Sequence, residues 1–258
     1  MFFRCLSALL LSSFAFAGPA VLRVCADPNN LPFSNQQQQG FENKLADLVG
    51  NKMDARVEYT WWPERKSLVK QTLDAGRCDV LLGVPAALDS VSTTIPYYRS
   101  TYVFVTRRDR EIHIGSLADP KLAGLRIGIQ IVGDDYAPPA FALARRGITD
   151  NIVGYPLFGP KGEADPQAKI IIAVERDDVD IAIVWGPLAG YFAKNADVAL
   201  DIVPVTPAMY FGIPFAYDIS MAVRKGDDSL RTALDRVLTS EAVNIQKILT
   251  AYGIPEVR

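Results

Sequence analysis

Residues 79–84, DVLLGV, decide the fold because they complete a strand–helix–strand–helix–strand series near the start of the chain. Two earlier apolar runs, VLRVCA at residues 21–26 and RVEYTWW at residues 56–62, also predict strands. Between the strands, apolar residues recur at helical spacing from Phe41, and Pro63 stands at a favoured first-turn position of a second helix. This βαβαβ order predicts an α/β fold with a mostly parallel sheet and helices on both faces.

A second α/β series begins after the charged residues 107–110. Its predicted strands cover residues 125–130 and 179–184, and its predicted helices cover residues 139–146 and 166–176. A later strand at residues 218–223 is followed by two helices, which have no second sheet of their own to cover. The sequence therefore predicts that these last helices return to the first sheet.

The economical arrangement has two Rossmann-like lobes connected by two crossing strands, which form a hinge. Lobe 1 comprises residues 18–105 plus 217–258, and lobe 2 comprises residues 106–216. Two sequential, independent domains are the alternative. In open α/β sheets, ligands bind in the crevice beyond the carboxyl ends of the strands, so we expect a site between the lobes.

Residues 1–17 are typical of a secretory signal peptide. The start of the chain is positively charged through Arg4, residues 5–14 (CLSALLLSSF) are apolar, and residues 15–17 (AFA) match an A-x-A cleavage site. We expect cleavage near Ala17 and a location in the periplasm of a Gram-negative bacterium. The alternative to a signal peptide is an ordinary N-terminal helix. No later stretch reaches the roughly 18 apolar residues that a membrane span needs, so stable membrane insertion is not expected.

The composition limits the classes of function. The 258 residues include 27 Lys and Arg against 29 Asp and Glu, which excludes a strongly basic nucleic-acid binder. The single histidine, His113, argues against His-based metal or triad chemistry. Beyond the signal peptide, Cys25 and Cys78 remain, and an even number of cysteines in an oxidising compartment predicts a disulfide. Two buried free thiols are the alternative.

Signatures of catalysis are missing from the sequence. It contains no G-x-S-x-G motif, no P-loop, no cluster of metal ligands and no histidine near a candidate nucleophile. We therefore expect a binding protein that is not an enzyme and that carries neither a cofactor nor a metal.

Several segments together carry a resemblance to a known family. They are residues 25–35 (CADPNNLPFSN), 40–44 (GFENK), 59–63 (YTWWP), 76–80 (GRCDV) and 184–192 (VWGPLAGYF). The chain resembles the family-3 extracellular solute-binding proteins, which are type II periplasmic binding proteins of ABC importers. It resembles more tightly the substrate-binding proteins associated with quinoprotein dehydrogenases, relatives of the J-type accessory proteins of bacterial methanol oxidation. The resemblance implies a type II periplasmic binding protein fold.

Three departures from the amino-acid receptors of this family concern the ligand. Those receptors hold the ligand carboxylate with an Arg after the third strand, but residues 83–90 (GVPAALDS) contain none. Those receptors also bind the anionic group of the ligand with N–H groups and a Thr at a helix N-terminus. At the equivalent place this chain has Asp134 and Asp135, which would repel an anion or cap the helix. Trp185 replaces the Asp that takes the ligand ammonium. The resemblance thus implies a ligand other than an ordinary amino acid.

The loops at the strand ends supply a mostly aromatic set of candidate cleft residues. They are Asn29, Asn30, Phe33, Trp61, Trp62, Arg65, Pro85, Tyr97, Tyr98, Arg99, Asp134, Asp135, Trp185, Tyr191, Phe215 and Tyr217. Such a lining suits a planar or partly apolar ligand, and aromatic surfaces also suit a protein partner. Simple packing is the alternative for single aromatics, and a helix start is the alternative for Asp134 and Asp135. Trp185 is the leading candidate, because it occupies a ligand-binding position of the family.

Two functions remain open at this stage. The first is a periplasmic accessory protein of a PQQ-dependent alcohol or methanol dehydrogenase, which binds the dehydrogenase, or a small ligand in the cleft. The partners would be that enzyme and its cytochrome c, or an unidentified small molecule, but not a nucleic acid. The second is the substrate-binding receptor of an ABC importer for a solute that is not a standard amino acid.

Overall fold

The computed structural model describes residues 20–63, 67–133, 135–160 and 163–257. The predicted signal peptide, residues 1–17, lies outside this part of the chain. The cleft candidates Arg65 and Asp134 also lie outside it.

The secondary structure alternates between strands and helices through most of the described chain. The strands are β1 (Ala20–Ala26), β2 (Asn29–Asn30), β3 (Ser34–Asn35), β4 (Ala55–Trp61), β5 (Val80–Pro85), β6 (Ser92–Thr93), β7 (Tyr98–Arg107), β8 (Ile127–Val132), β9 (Asp135–Tyr136), β10 (Ile152–Pro156), β11 (Ile181–Trp185), β12 (Leu200–Pro204), β13 (Met209–Tyr210), β14 (Ile213–Pro214) and β15 (Ala216–Val223). The helices are α1 (Phe41–Lys52), α2 (Leu68–Gln71), α3 (Pro138–Ala144), α4 (Lys169–Glu175), α5 (Gly186–Lys194), α6 (Asp228–Ser240) and α7 (Ala242–Ala251). Short 3₁₀ turns occupy Arg108–Arg110, Pro120–Gly124 and Pro166–Ala168. The predicted α/β class is confirmed.

One large mixed sheet runs through both halves of the molecule, in the order β10-β8-β11-β7-β15-β5-β1-β4. At one end, β1 pairs in parallel with β4 and β5. At the other end, β8 pairs in parallel with β10 and β11. Each end therefore has the parallel core that the two βαβ series predict.

Strands β7 and β15 connect these two ends. Residues 98–101 of β7 pair with residues 216–219 of β15, whereas residues 102–107 pair with β11 and β12. The two strands lie where the sequence predicts the chain to cross between the lobes. The predicted bounds of the lobes stay a prediction, and the names lobe 1 and lobe 2 are kept for them.

Some helix predictions were too long. The second helix, which the sequence predicts to begin at Pro63, is reduced to α2 in the described residues, and turns follow it. The helix expected over residues 166–176 starts as a 3₁₀ turn before α4. Apolar spacing fixes which face of a segment is buried, but the ends of a helix depend on its caps and contacts.

The hydrophobic cores cover both faces of the sheet. In lobe 1, α1, α6 and α7 supply apolar side chains to a core centred on the fully buried Phe41. In lobe 2, separate cores lie around Phe104 and around Val103, which are neighbours in β7 and point to opposite faces. Within the described chain, no helix has the length and apolar character needed to cross a membrane.

The disulfide expected between Cys25 and Cys78 is confirmed, with the two Cα atoms 5.5 Å apart. It joins the end of β1 to the residues just before β5 and is packed among Leu68, Leu73 and Leu81. The bond therefore fixes the carboxyl end of β1 to the segment that enters β5 at its amino end.

Candidate functional site

A cavity of about 1100 Å³ lies between the two lobes. Its lobe 1 wall includes the carboxyl ends of β1 and β5, and its lobe 2 wall includes the carboxyl end of β8 and residues 156–160. This is the crevice that the strand order predicts as the ligand site of an open α/β sheet.

Six of the predicted cleft residues line this cavity. They are Asn30, Phe33, Pro85, Tyr98, Trp185 and Tyr217. The sequence interpretation missed other lining side chains, among them Asp27, Glu42, Tyr102, Gln130 and Phe158. The lining is therefore rich in aromatic rings from both lobes.

Trp185 forms an aromatic wall with two tyrosines of the crossing strands. Its ring lies 5.4 Å from that of Tyr102 and 5.8 Å from that of Tyr217, in edge-to-face geometry. The main-chain N–H of Trp185 donates a hydrogen bond of 2.9 Å to Oε1 of Gln130. Burial raises the pKa of Tyr102 well above its ordinary value, so its hydroxyl stays protonated. The wall is neutral and is held in one orientation by its own ring contacts.

A second group of rings backs the lobe 1 side. The ring of Phe41 lies 5.4 Å from that of Phe33 and 6.1 Å from that of Tyr98, and Tyr98 lies 5.1 Å from Tyr97. Burial, together with the negative charge of Glu42, raises the pKa values of both tyrosines well above the ordinary value. Phe33 and Tyr98 therefore present a second neutral surface to the cavity.

The charged residues among the described lining are both acidic. Asp27 is buried, and its Oδ1 accepts a hydrogen bond of 2.7 Å from the N–H of Asn29. The carboxylate of Glu42 lies against Gly83, where a Cβ atom would come within 2.1 Å of Oε1. Gly83 also has a φ of +75°, so glycine is required here both for space and for conformation. The lobe 1 wall therefore combines aromatic rings with negative charge.

Hydrogen bonds connect the lobes beside the cavity. Nε2 of Gln167 donates to the main-chain oxygen of Asn29 at 2.8 Å and to Oδ1 of Asn30 at 3.3 Å. Nδ2 of Asn29 in turn donates to the main-chain oxygen of Glu163 at 2.8 Å. These four residues, termed the interlobe contact, hold the two lobes together. Asn29 thus acts at the cleft, but by joining its walls.

Several predicted aromatic residues lie elsewhere. Trp61 stacks on Tyr59 with 4.6 Å between ring centres, and the ring of Trp62 carries the guanidinium of Arg77 at 5.4 Å. The other three are Tyr97, whose hydroxyl accepts the N–H of Gly83 at 3.1 Å; Tyr191, which stacks on Tyr252 at 5.9 Å; and Phe215, which is buried in the lobe 2 core. None of the five lines the cavity, and each is explained by packing or by a contact with an aromatic, cationic or main-chain group.

Two predicted charged residues are also placed away from the lining. Arg99 forms an ion pair of 2.8 Å with Asp218 on the neighbouring strand. Asp135 is exposed in the short strand β9, where it pairs with Val132. The cap of α3 is Ala137, without a side-chain hydrogen bond, so Asp135 does not cap this helix as the sequence suggested.

Comparison with known proteins places the chain in a family. Residues 22–253 match the model of the bacterial extracellular solute-binding proteins, family 3. The chain belongs to this family. It is 31% identical over 261 residues to the protein MoxJ of Paracoccus denitrificans, which covers 96% of this chain and 94% of that protein.

Two solved structures are similar over the whole of their chains. The crystal structure of MxaJ from Methlophaga aminisulfidivorans MPT has a TM-score of 0.82 and 27% identity, and covers 92% of this chain and 100% of that chain. The periplasmic binding protein XoxJ from Methylobacterium extorquens AM1 has a TM-score of 0.75 and 32% identity, with the same coverage. The type II periplasmic binding protein fold is thereby confirmed, and the family indicates a periplasmic protein.

Relative to other family-3 solute-binding proteins, the cavity is notable for its anchors. Pro85 and Trp185, two positions where the sequence analysis expects departures from the amino-acid receptors, both line the cavity. Within the described residues, no group of three or more His, Cys, Asp or Glu could hold a metal ion. The cavity thus offers ring faces, amides and carboxylates, which suit recognition of a partly apolar molecule.

Proposed function

We propose that this protein is a periplasmic accessory protein of a PQQ-dependent alcohol dehydrogenase system and acts by binding. Its link to such a system rests on its full-length similarity to MoxJ, MxaJ and XoxJ, together with the resemblance to dehydrogenase-associated binding proteins. The dehydrogenase and its cytochrome c are the partners that this function requires.

The observation that carries the proposal is the aromatic wall at Trp185. In an amino-acid receptor, this position holds a carboxylate that pairs with the ligand ammonium. Here a neutral indole is fixed between Tyr102 and Tyr217. Removal of one partner of a buried ion pair costs about 3–5 kcal/mol. An amino-acid ligand, whose ammonium group would be buried here without its carboxylate partner, is therefore disfavoured at this position.

Receptor function for an unusual solute is the second candidate. The cavity volume of about 1100 Å³ is sufficient for a drug-sized molecule. Its aromatic faces favour a planar, neutral compound. A thermal-shift screen of neutral, anionic and cationic solutes tests this candidate, because a ligand that binds only the folded state raises the melting temperature.

Copurification tests the accessory function. The mature protein, immobilised and incubated with periplasm of the source bacterium, should retain the quinoprotein dehydrogenase, and its addition should change the activity of that enzyme. A family-3 receptor for amino acids, treated in the same way, is the control. If the protein neither retains the dehydrogenase nor alters its activity, the accessory function is wrong.

A further inference from the structure

The hairpin formed by β13 and β14 has a bulky residue at an unfavourable backbone position. Its two turn residues, Phe211 and Gly212, have φ values of +53° and +76°. Turns with two positive φ values are typical of two-residue hairpins and prefer Asn or Asp followed by Gly. Phenylalanine has no polar side chain to stabilise this left-handed conformation, and bulky residues rarely adopt it. The hairpin therefore has an aromatic residue at a turn position where asparagine or aspartate would make the fold more stable.

The same hairpin holds its apolar side chains on two sides. Tyr210 and Ile213 pack against the lobe 2 core and anchor it. Met209 is 60% exposed, and Phe211 keeps 48% of its surface exposed although its ring lies 4.3 Å from that of Tyr210. Exposure of two large apolar side chains at one hairpin is unfavourable for an isolated soluble protein, unless the surface binds something.

Helix α3 extends this exposed surface. The guanidinium of Arg145 lies 5.8 Å from the ring centre of Phe211. Phe141 stands one helical turn before Arg145, on the same face, and is 52% exposed. We define the hairpin patch as Phe141, Arg145, Met209 and Phe211. Within the described residues Arg145 forms no ion pair, so the patch combines apolar side chains with one positive charge.

We propose that the hairpin patch is the surface on which a protein partner docks, and that this partner offers an apolar pocket edged by a carboxylate. Aromatic side chains and arginine are the residues that most often dominate the binding energy of protein interfaces. The carboxylate follows from charge complementarity, because Arg145 brings to the patch a cation that forms no ion pair in the described part of the chain. A protein fits better than an anionic membrane surface, since the whole chain has a formal net charge of −2.

The identity of the partner rests on the proposed function, which names the quinoprotein dehydrogenase. The patch lies on α3 and the hairpin, and none of its four residues lines the cavity. Docking at the patch therefore leaves the cleft free for a small molecule, so that the protein has two separate binding surfaces.

The substitution Phe211→Asn tests the proposal directly. Asparagine is favoured at this turn position, so the melting temperature should stay the same or rise, while the exposed ring is lost. We expect affinity for the purified dehydrogenase, measured by surface plasmon resonance with the full mature chain, to fall by about tenfold or more. Met209→Thr, which removes the second exposed side chain without a change in the turn, should also weaken binding.

Two further variants refine the test. Arg145→Gln should weaken binding and reduce its dependence on salt, because it removes the charge of the patch. Val243→Asn is the matched control: Val243 is 70% exposed on α7 of lobe 1, so its loss removes a comparable apolar side chain at a distant surface. Binding by this control should equal that of the wild type.

The outcomes separate the two proposals. Wild-type protein that does not bind the dehydrogenase overturns the proposed function and with it the partner named for the patch. Wild-type binding that is unchanged by Phe211→Asn and Met209→Thr overturns the docking surface alone. Two other results would also overturn the docking surface, provided that affinity for the dehydrogenase persists. The first is that these variants only dissociate a homodimer. The second is that they only abolish binding to vesicles of phosphatidylglycerol.

Discussion

The side-chain amide of Gln167 in lobe 2 donates a hydrogen bond of 2.8 Å to the main-chain oxygen of Asn29 in lobe 1. The bond is partly buried, and only 2% of the surface of Gln167 is exposed. All four residues of the interlobe contact belong to this chain, so these hydrogen bonds need no ligand atom. The interlobe contact therefore favours approach of the lobes without a bound molecule.

Gln167→Ala should loosen this closure. It removes two donated hydrogen bonds, each worth about 0.5–1.5 kcal/mol net, and leaves their acceptors to water. Small-angle X-ray scattering should report a larger radius of gyration, and hydrogen exchange should increase around Asn29 and Asn30. Gln36→Ala, in an exposed loop, is the control. An unchanged radius and unchanged exchange would show that other contacts hold the lobes.

Trp185→Ala should separate the cleft from the hairpin patch. Removal of the indole takes away the ring that Tyr102 and Tyr217 contact, so any solute found by thermal shift should bind roughly tenfold more weakly, equivalent to about 1.4 kcal/mol. Affinity for the dehydrogenase should stay at the wild-type value, because the patch is intact. Loss of dehydrogenase binding in this variant would assign docking to the cleft.

Acid should weaken the cluster around Asp79. Burial raises the pKa of Asp79, but the hydrogen bonds from Arg23 and Arg224 outweigh burial and hold the pKa below its ordinary value. A carboxyl with a lowered folded-state pKa stabilises the fold above its unfolded-state pKa, and this contribution is lost as the pH falls through the folded-state value. Asp79→Asn should therefore lower the melting temperature at pH 6 and have a smaller effect near pH 3.

The control for this measurement is Asp89→Asn, at an exposed position. Its effect on the melting temperature should be small at both pH values. If Asp79→Asn lowers the melting temperature equally at both, the contribution of Asp79 does not come from its charge.

Gly83→Ala should destabilise the cavity wall by about 1–3 kcal/mol, because alanine is strained at this positive φ. Its Cβ would also displace the carboxylate of Glu42. In a Glu42→Ala background the collision is removed, and only the backbone strain remains. Chemical unfolding should thus show that the double variant is less destabilised than the sum of the two single variants. Strict additivity would contradict the packing of Glu42 against Gly83.

The sequence predicted the architecture well because β1, β5, β8 and β11 are short, continuous apolar runs. Buried parallel strands have this pattern, so their number and order could be inferred. The crossing strands could be predicted because α6 and α7 have no second sheet of their own to cover. The chain must therefore return to the first sheet before these helices begin. The hairpin of β13 and β14 was missed, because two-residue strands have no measurable periodicity.

The site was predicted less completely, for reasons of orientation. Trp185 was predicted because the family resemblance places it at a ligand-binding position, and it lines the cavity. Tyr102 was missed because it lies inside β7, where strand pairing decides which face a side chain occupies. Trp61 ends β4 at the same edge as the cleft, yet its ring stacks on Tyr59. Gln130 is a polar residue within the apolar run of β8, and this exception to the pattern could have indicated a residue of the cavity lining.

Strand β7 has a consequence for cooperativity. Its residues 98–101 are hydrogen-bonded to β15, and its residues 102–107 are hydrogen-bonded to β11 and β12. Melting of either lobe would remove the partners of a strand that also belongs to the other lobe, and would expose an unsatisfied sheet edge there. We therefore expect calorimetry to record a single heat-absorption peak for both lobes, with equal calorimetric and van 't Hoff enthalpies. A chain with two lobes would then melt as one thermodynamic unit.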